Sequence, residues 1–364
     1  MTMGRKIVTI VGARPQFVKV APVSRVLRTH CREVLVNTGQ HYDYKMAGVF
    51  FEELSIPKPD YDLGVGSGNH GKQTGEMLNK IEEVLLRETP DAVLVYGDTN
   101  STLAGALAAS KLHIPIFHVE AGLRSFNKRM PEEINRIATD HVSDLLFPPT
   151  ETAVRNLQRE GFADHVFMVG DVMLDAVLYN IELAKRNHRL ETFGLAERDY
   201  YLATIHRADN TDDRQRLKAI LEALSRMSAP VVLPLHPRTQ KMIADYGFGD
   251  LIASSPAIRI IEPVSYLEML LLESGAKGII TDSGGVQKEA YFARVPCYTL
   301  RDETEWVETV ESGWNTLVNP LNANLADAVQ RRTDVPYIEN LYGDGNAASK
   351  IVDCMMKFLA ERRG

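Results

Sequence analysis

AVLVYGDTNSTLAGALAASKLHIPIFHVEAG, residues 92–122, decides the fold. Its two ends, AVLVYGD (92–98) and PIFHVEAG (115–122), are almost continuously apolar, the pattern of strands buried on both faces of a parallel sheet. The stretch between them reads as a crossover helix, so the segment is one βαβ unit.

The same alternation extends both ways. Upstream lie KIVTIVG (6–12) and REVLVNTG (32–39); downstream come LLFPP (145–149) and VFMVGD (166–171). The intervening QTGEMLNKIEEVLLRE places Met77, Leu78, Ile81, Val84 and Leu85 on one helical face. A second series follows: YYLATIHR (200–207), PVVLPLHP (230–237), IRIIEPV (258–264), KGIITDSGG (277–285) and VPCYTLRD (295–302). The break falls near 168–190, where DVMLDAVLYNIELAKRNHR reads as a long helix. A chain of 364 residues exceeds what one core usually serves. The expectation is α/β, with two doubly wound, Rossmann-like domains at 1–167 and 168–345.

Composition narrows the partners. A net charge of −7, with no basic block interleaved with aromatics, argues against nucleic acid. Cys31, Cys297 and Cys354 are odd in number, far apart and without metal-ligand spacing, which fits a reduced intracellular compartment and no metal. The N-terminal apolar run is too short for a signal peptide, and nothing approaches the roughly 20 apolar residues of a membrane span. The expected location is the cytoplasm.

Ligands of open α/β sheets bind beyond the carboxyl ends of the strands. There this sequence collects Arg14, Gln40-His41, Asp98, Glu120, His206, His236 and Asp282 to Gly285, a set large enough to suggest an interdomain cleft. GARP (12–15) is a tight strand-to-helix turn whose amides and Arg14 suit a phosphate, and equally an ordinary turn with a surface Arg. TDSGGVQKEA (281–290) is the stronger phosphate signal. Ser283, Gly284 and Gly285 offer a hydroxyl and unobstructed amides at a helix start, and Glu289 follows where ribose hydroxyls could donate to it. The alternative is a capped helix with Glu289 facing solvent. Walker and dinucleotide spacings are absent. IHRADN presents His206 and Arg207, and LHPR presents His236 in the same way.

Asp98 suits a helix cap, and Glu120, Arg124 and Glu132, taken singly, suit structural salt bridges better than chemistry. Taken together, Asp98, Glu120 and Glu132 place three carboxylates around one cleft. Repulsion and desolvation there can hold one protonated and another ionised, which makes an acid/base site.

GARPQFVK, NTGQHYD, GSGNHGKQTGEML, YGDTNST, HVEAGLRS, MPEEINR, HRADN, HPRT and TDSGGVQKEA run in order along nearly the whole chain. In this the chain resembles the non-hydrolysing UDP-N-acetylglucosamine 2-epimerases. The resemblance implies a glycosyltransferase-B arrangement of the two domains with UDP in the cleft, a C-terminal helix (346–364) returning to the first domain, a homodimer, and no cofactor. It implies catalytic roles for Asp98, Glu120, Glu132 and His206, and UDP binding by Arg14, His206, Ser283, Gly284 and Glu289. Gly285, Arg207 and His236 complete the expected UDP-sugar contacts.

The chain departs from the commonest members, which read GTRPE and TERPE where it has Gly12 to Gln16 and Thr304 to Glu308. GARPQF and RDETEWVE resemble the branch acting on UDP-2,3-diacetamido-2,3-dideoxyglucuronate. On this reading Gln16 removes a negative charge near Arg14 and so admits a carboxylate-bearing sugar. Gln40, Lys72, Arg207 and His236 match the places where a second UDP-sugar activates other members, but Lys72 and Asp43 differ from the usual Arg and Gln, so activation is not expected. The alternatives are UDP-N-acetylglucosamine as substrate, a hydrolysing relative, a regulator without turnover, and a glycosyltransferase of the same architecture.

Overall fold

Strands form where β-branched and aliphatic runs can be buried on both faces, and here they assemble into two parallel sheets. The computed structural model describes residues 4–40, 53–54, 56–322, 325–330 and 335–362. Its two units are Met1–Ala176 together with Glu339–Gly364, and Val177–Ile338.

The first unit carries β1 (Lys6–Val11), β2 (Arg32–Asn37), β3 (Tyr61–Asp62), β4 (Ala92–Tyr96), β5 (Ile116–Val119) and β6 (Leu145–Phe147), in the order β3-β2-β1-β4-β5-β6. Val8 pairs with Val34 on one side and Val93 on the other, so central side chains meet in rows. These rows pack under Met77, Ile81, Val84 and Leu85 of the helix His70–Glu88 and under the alanines of the helix Asn100–Lys111. That second helix comes so close that a Cβ on Gly105 would lie 2.7 Å from Ile10 Cδ1.

The second unit repeats the plan with β7 (Tyr201–Thr204), β8 (Val231–Pro234), β9 (Ile258–Ile261), β10 (Gly278–Thr281), β11 (Cys297–Thr299) and β12 (Asn315–Leu317), in the order β12-β11-β10-β7-β8-β9. Every pairing among these twelve strands is parallel. Each sheet has the Rossmann order, which reverses between β1 and β4 in one unit and between β7 and β10 in the other, and each reversal opens a crevice for a ligand.

Two runs differ from the sequence reading. VFMVGD makes only a single bridge, Val166 to Leu146, because the chain then turns to the C-terminal segment. Gly170 adopts φ 95°, and the Asp171 amide donates to the Tyr342 carbonyl at 2.8 Å. IRIIEPV is an edge strand rather than a buried one, with Ile260 42% exposed. The helix Ala347–Glu361 belongs to the first unit. Asp175 accepts the amides of Ala347 and Ala348 at its start, and Phe358 stands edge-on to Phe117 at 5.5 Å. Among the described residues no helix is long and apolar enough to cross a membrane.

Candidate active site

In the first unit the acids stand on the two turns that follow β4 and β5. Glu120 comes directly after β5 with φ 70°, a left-handed backbone that a β-carbon disfavours, and its side chain is buried. Lys19, from the helix Arg14–Leu27, places Nζ 2.6 Å from Glu120 Oε1. Asp98 follows Gly97 and pairs with Arg136 Nη2. Burial pushes the Asp98 carboxyl up; Arg136 and Lys19 pull it down and Glu120 pushes it up again, leaving it above its ordinary value. The site is thus two carboxylates with two cations set around them.

The acidic pair Glu132-Glu133 divides. Glu133 is buried and holds a loop, accepting the Ser125 amide at 2.8 Å, the Ser125 hydroxyl at 2.9 Å and the Phe126 amide at 2.9 Å. Glu132 is exposed in the first turn of the helix Pro131–Val142. It lies four residues before Arg136, on the same helical face as the cation that reaches Asp98. Arg124 is structural: it binds Asp140 at 2.7 Å and grips Glu160 with two nitrogens. The sequence reading gave no role to Lys19, Arg136, His118 or Asp140. The spacing of Arg136 from Glu132 was the available signal for one of them.

Gln16 requires a correction. It is buried, and its Oε1 accepts the Gly12 and Ala13 amides at 2.8 and 3.0 Å. Its Nε2 donates to the Tyr96 carbonyl at 2.9 Å and the Thr102 hydroxyl at 3.0 Å. All its hydrogen-bonding capacity is spent tying the turn after β1 to the turn after β4, so it does not read a sugar's charge. Gln16→Glu must either take up a proton or turn an oxygen onto the Tyr96 carbonyl. The expected result is a loss of about 1–3 kcal/mol in urea unfolding, with the ratio of kcat/KM between competing sugars unchanged. Gln40 is likewise tied to protein, accepting the Ser101 amide at 3.0 Å and hydroxyl at 2.7 Å. Lys72 and Arg14 are exposed, Arg14 as the first residue of its helix. His41 and Asp43 lie outside the described residues.

In the second unit the buried Asp282 clamps the crevice. It accepts the His206 amide at 3.1 Å and the Arg207 amide at 3.0 Å, and faces His206 Nδ1 at 3.2 Å. His206 remains 40% exposed, its ring 5.6 Å from that of His236. His236 caps the helix Pro237–Tyr246, its Nδ1 accepting the Arg238 amide at 3.2 Å. Ser283 precedes the helix Gly284–Phe292 without capping it through its hydroxyl. A Cβ on Gly284 would lie 2.3 Å from Glu305 Oε1, whereas at Gly285 its nearest neighbour would be Ser283 Oγ at 3.9 Å. The glycines thus serve different ends: Gly284 admits the covering segment, and Gly285 leaves the helix start open. Arg207, Arg216 and Arg301 line a cavity with Asp209, Asp302 and Glu303.

Glu289 is buried rather than solvent-facing, and accepts the Tyr266 hydroxyl at 3.1 Å. Beside it Glu273 is fully buried; burial first, then Glu289, push its carboxyl well above the usual 4.5. The native state therefore keeps a proton that the unfolded chain releases above about pH 4.5. Stability contributed here falls as pH rises from that value toward the raised one. Glu273→Gln should abolish this slope and gain relative to the parent from pH 5 to pH 8 in urea unfolding; an identical slope in both proteins would refute it.

Comparison with known proteins bears on what these turns do. Residues 25–356 match the family model described as UDP-N-acetylglucosamine 2-epimerase. Over 353 residues the chain is 54% identical to a UDP-N-acetylglucosamine 2-epimerase homolog of Methanococcus maripaludis, covering 96% of this chain and 99% of that one. Over 363 residues it is 51% identical to the UDP-2,3-diacetamido-2,3-dideoxy-D-glucuronate 2-epimerase of Pseudomonas aeruginosa, covering 97% and 99%. The crystal structure of the Methanocaldococcus jannaschii UDP-GlcNAc 2-epimerase, in complex with UDP-GlcNAc and UDP, superimposes with a TM-score of 0.84 at 46% identity, covering 97% and 99%.

Proposed function

We propose, for a chain that belongs to the UDP-N-acetylglucosamine 2-epimerase family, that it inverts C2 of a UDP-2-acetamido sugar without hydrolysis, by elimination and re-addition of UDP. The observation that carries this reading is the pair Asp98 and Glu120 on neighbouring parallel strand ends, set with Lys19 and Arg136. The C2 hydrogen is weakly acidic, so a positioned carboxylate removes it as the C1–O bond breaks. The C2–H electrons become the C1=C2 bond, and the C1–O pair leaves with UDP. Protonation of C2 from the other face and return of UDP to C1 give the epimer. The electrons balance within the substrate, and the scheme calls for no cofactor.

In this reading Asp98, Glu120 and Glu132 share the proton transfers. The diphosphate is drawn to His206, Arg207, Arg14 and the amides of Ser283 to Gly285, which stabilise its developing charge, and Glu289 accepts from the ribose. His236 stands beside His206 at the same end of the sheet.

The sugar we assign is UDP-2,3-diacetamido-2,3-dideoxyglucuronate, with UDP-N-acetylglucosamine as the second reading; relatives of both kinds share half of this sequence or nearly so. With Gln16 committed to backbone, the support moves to Trp306, which stands where the commoner members have Arg. Lys288 Nζ sits 3.9 Å above its ring, and its Nε1 is 3.8 Å from where a Gly284 Cβ would lie, so this difference falls at the proposed phosphate turn. The test is NMR in deuterated water with each UDP-sugar. Deuterium at C2 and an equilibrium mixture of epimers are expected, with higher kcat/KM for the uronate. Equal or faster turnover of UDP-N-acetylglucosamine would overturn the sugar and leave the epimerase. Turnover only with an added acceptor, or release of free sugar, would overturn the reaction.

A further inference from the structure

We propose that His118 and Asp140 are positioning residues, a single buried pair that fixes the backbone of both turns carrying the acids. Those turns depend on left-handed backbone at Gly97 (φ 61°), Glu120 (φ 70°) and Gly122 (φ 78°). A conformation of this kind persists only where its surroundings hold it. One chain of side-chain contacts joins the two turns. His118 Nε2 lies 2.7 Å from the carbonyl of Gly97, the residue immediately before Asp98. His118 Nδ1 lies 2.7 Å from Asp140 Oδ1. Asp140 Oδ2 accepts the amide of Gly122, two residues after Glu120, at 3.1 Å, and pairs with Arg124 at 2.7 Å. Both side chains are fully buried, so neither touches substrate; they act through the backbone they bind.

The proton count follows from the partners. A carbonyl only accepts, so Nε2 carries a hydrogen. Asp140 has only oxygens to offer, and it faces the Gly122 amide, Arg124 and the Nδ1 side of the ring. Burial pushes the Asp140 carboxyl up, but the hydrogen bonds and charges of His118 and Arg124 outweigh it and hold that carboxyl below its ordinary value. Charges alternate along the row Glu160, Arg124, Asp140, which ends on the His118 ring, with His141 at its outer end, 3.5 Å from Glu160. The acids on the two turns carry their own counter-charges, Lys19 on Glu120 and Arg136 on Asp98.

A carboxylate displaced by about 1 Å can lose roughly a hundredfold in rate. Breaking the pair should therefore lower kcat and spare UDP binding, whose expected contacts lie mostly in the other unit. This kinetic arm rests on the epimerase reading; the hydrogen-bond arm does not. The experiment uses the full chain labelled with ¹⁵N-histidine. One ring should show an Nε2–H slow to exchange, held by the Gly97 carbonyl, a signal absent in His118→Gln. Asp140→Asn should lower kcat by about 10- to 100-fold at an equal folded fraction, with KM within about threefold. His118→Gln, whose amide still donates to Gly97, should retain about tenfold more kcat than His118→Ala. No protected His118 Nε2–H in the parent protein, or Asp140→Asn that loses stability but keeps kcat, would overturn the proposal. A protected His118 ring N–H in a protein that epimerises no UDP-sugar would count against the reaction and not against the pair.

Discussion

In Glu120→Gln and Glu132→Gln, kcat is expected to fall by about two to four orders of magnitude while UDP binds nearly as tightly as before. The amide keeps the shape of the carboxylate and removes its charge together with its capacity to take or deliver a proton. The two variants should part company in stability. Glu120 is buried against Lys19, itself little exposed, and replacing it leaves a cation without its counter-charge, a loss of roughly 3–5 kcal/mol. Glu132 stands in solvent at a helix start, and its replacement should stay within about 0.5 kcal/mol. Turnover assays with urea unfolding and UDP titration calorimetry separate these effects. Loss of all UDP binding in either variant would defeat the acid/base assignment. Unchanged kcat in Glu132→Gln would leave Asp98 and Glu120 to serve both faces of C2.

The parallel sheets were legible because each strand buried on both faces is written as a continuous apolar run. Reading failed where a run's hydrogen bonds go elsewhere: VFMVGD turns to the C-terminal segment instead of extending the first sheet. The strand-end rule likewise brought Asp98, Glu120, His206 and Ser283 into view, since a residue directly after a strand lands at that edge of the sheet whatever its partners. It could not foresee Lys19, Arg136 or His118, whose meaning lies in contacts over roughly 20 to 100 residues of sequence. Nor could it tell a ligand-facing polar group from one consumed by backbone. Gln16 and Asp282 sit in the motifs as plainly as any expected ligand contact, yet both are spent inside the protein.

Asp282 gives the second large effect. Asp282→Asn is expected to weaken UDP binding by about 10- to 100-fold, more than His206→Ala does. The carboxylate faces the amides of His206 and Arg207, the His206 ring and the Asn210 side-chain amide, which donates at 3.2 Å. An asparagine offers one acceptor oxygen and turns an NH₂ toward the remaining donors. A buried donor left unmatched costs about 1–3 kcal/mol, and the loop after β7 can escape that cost only by moving. Movement releases His206 and Arg207 together, so the ligand must then order a loop that the parent protein holds ready. His206→Ala removes one side chain and leaves the loop in place. Titration calorimetry with UDP on both variants decides the matter: a smaller loss in Asp282→Asn than in His206→Ala would show that the imidazole itself, and not the clamped loop, carries the diphosphate.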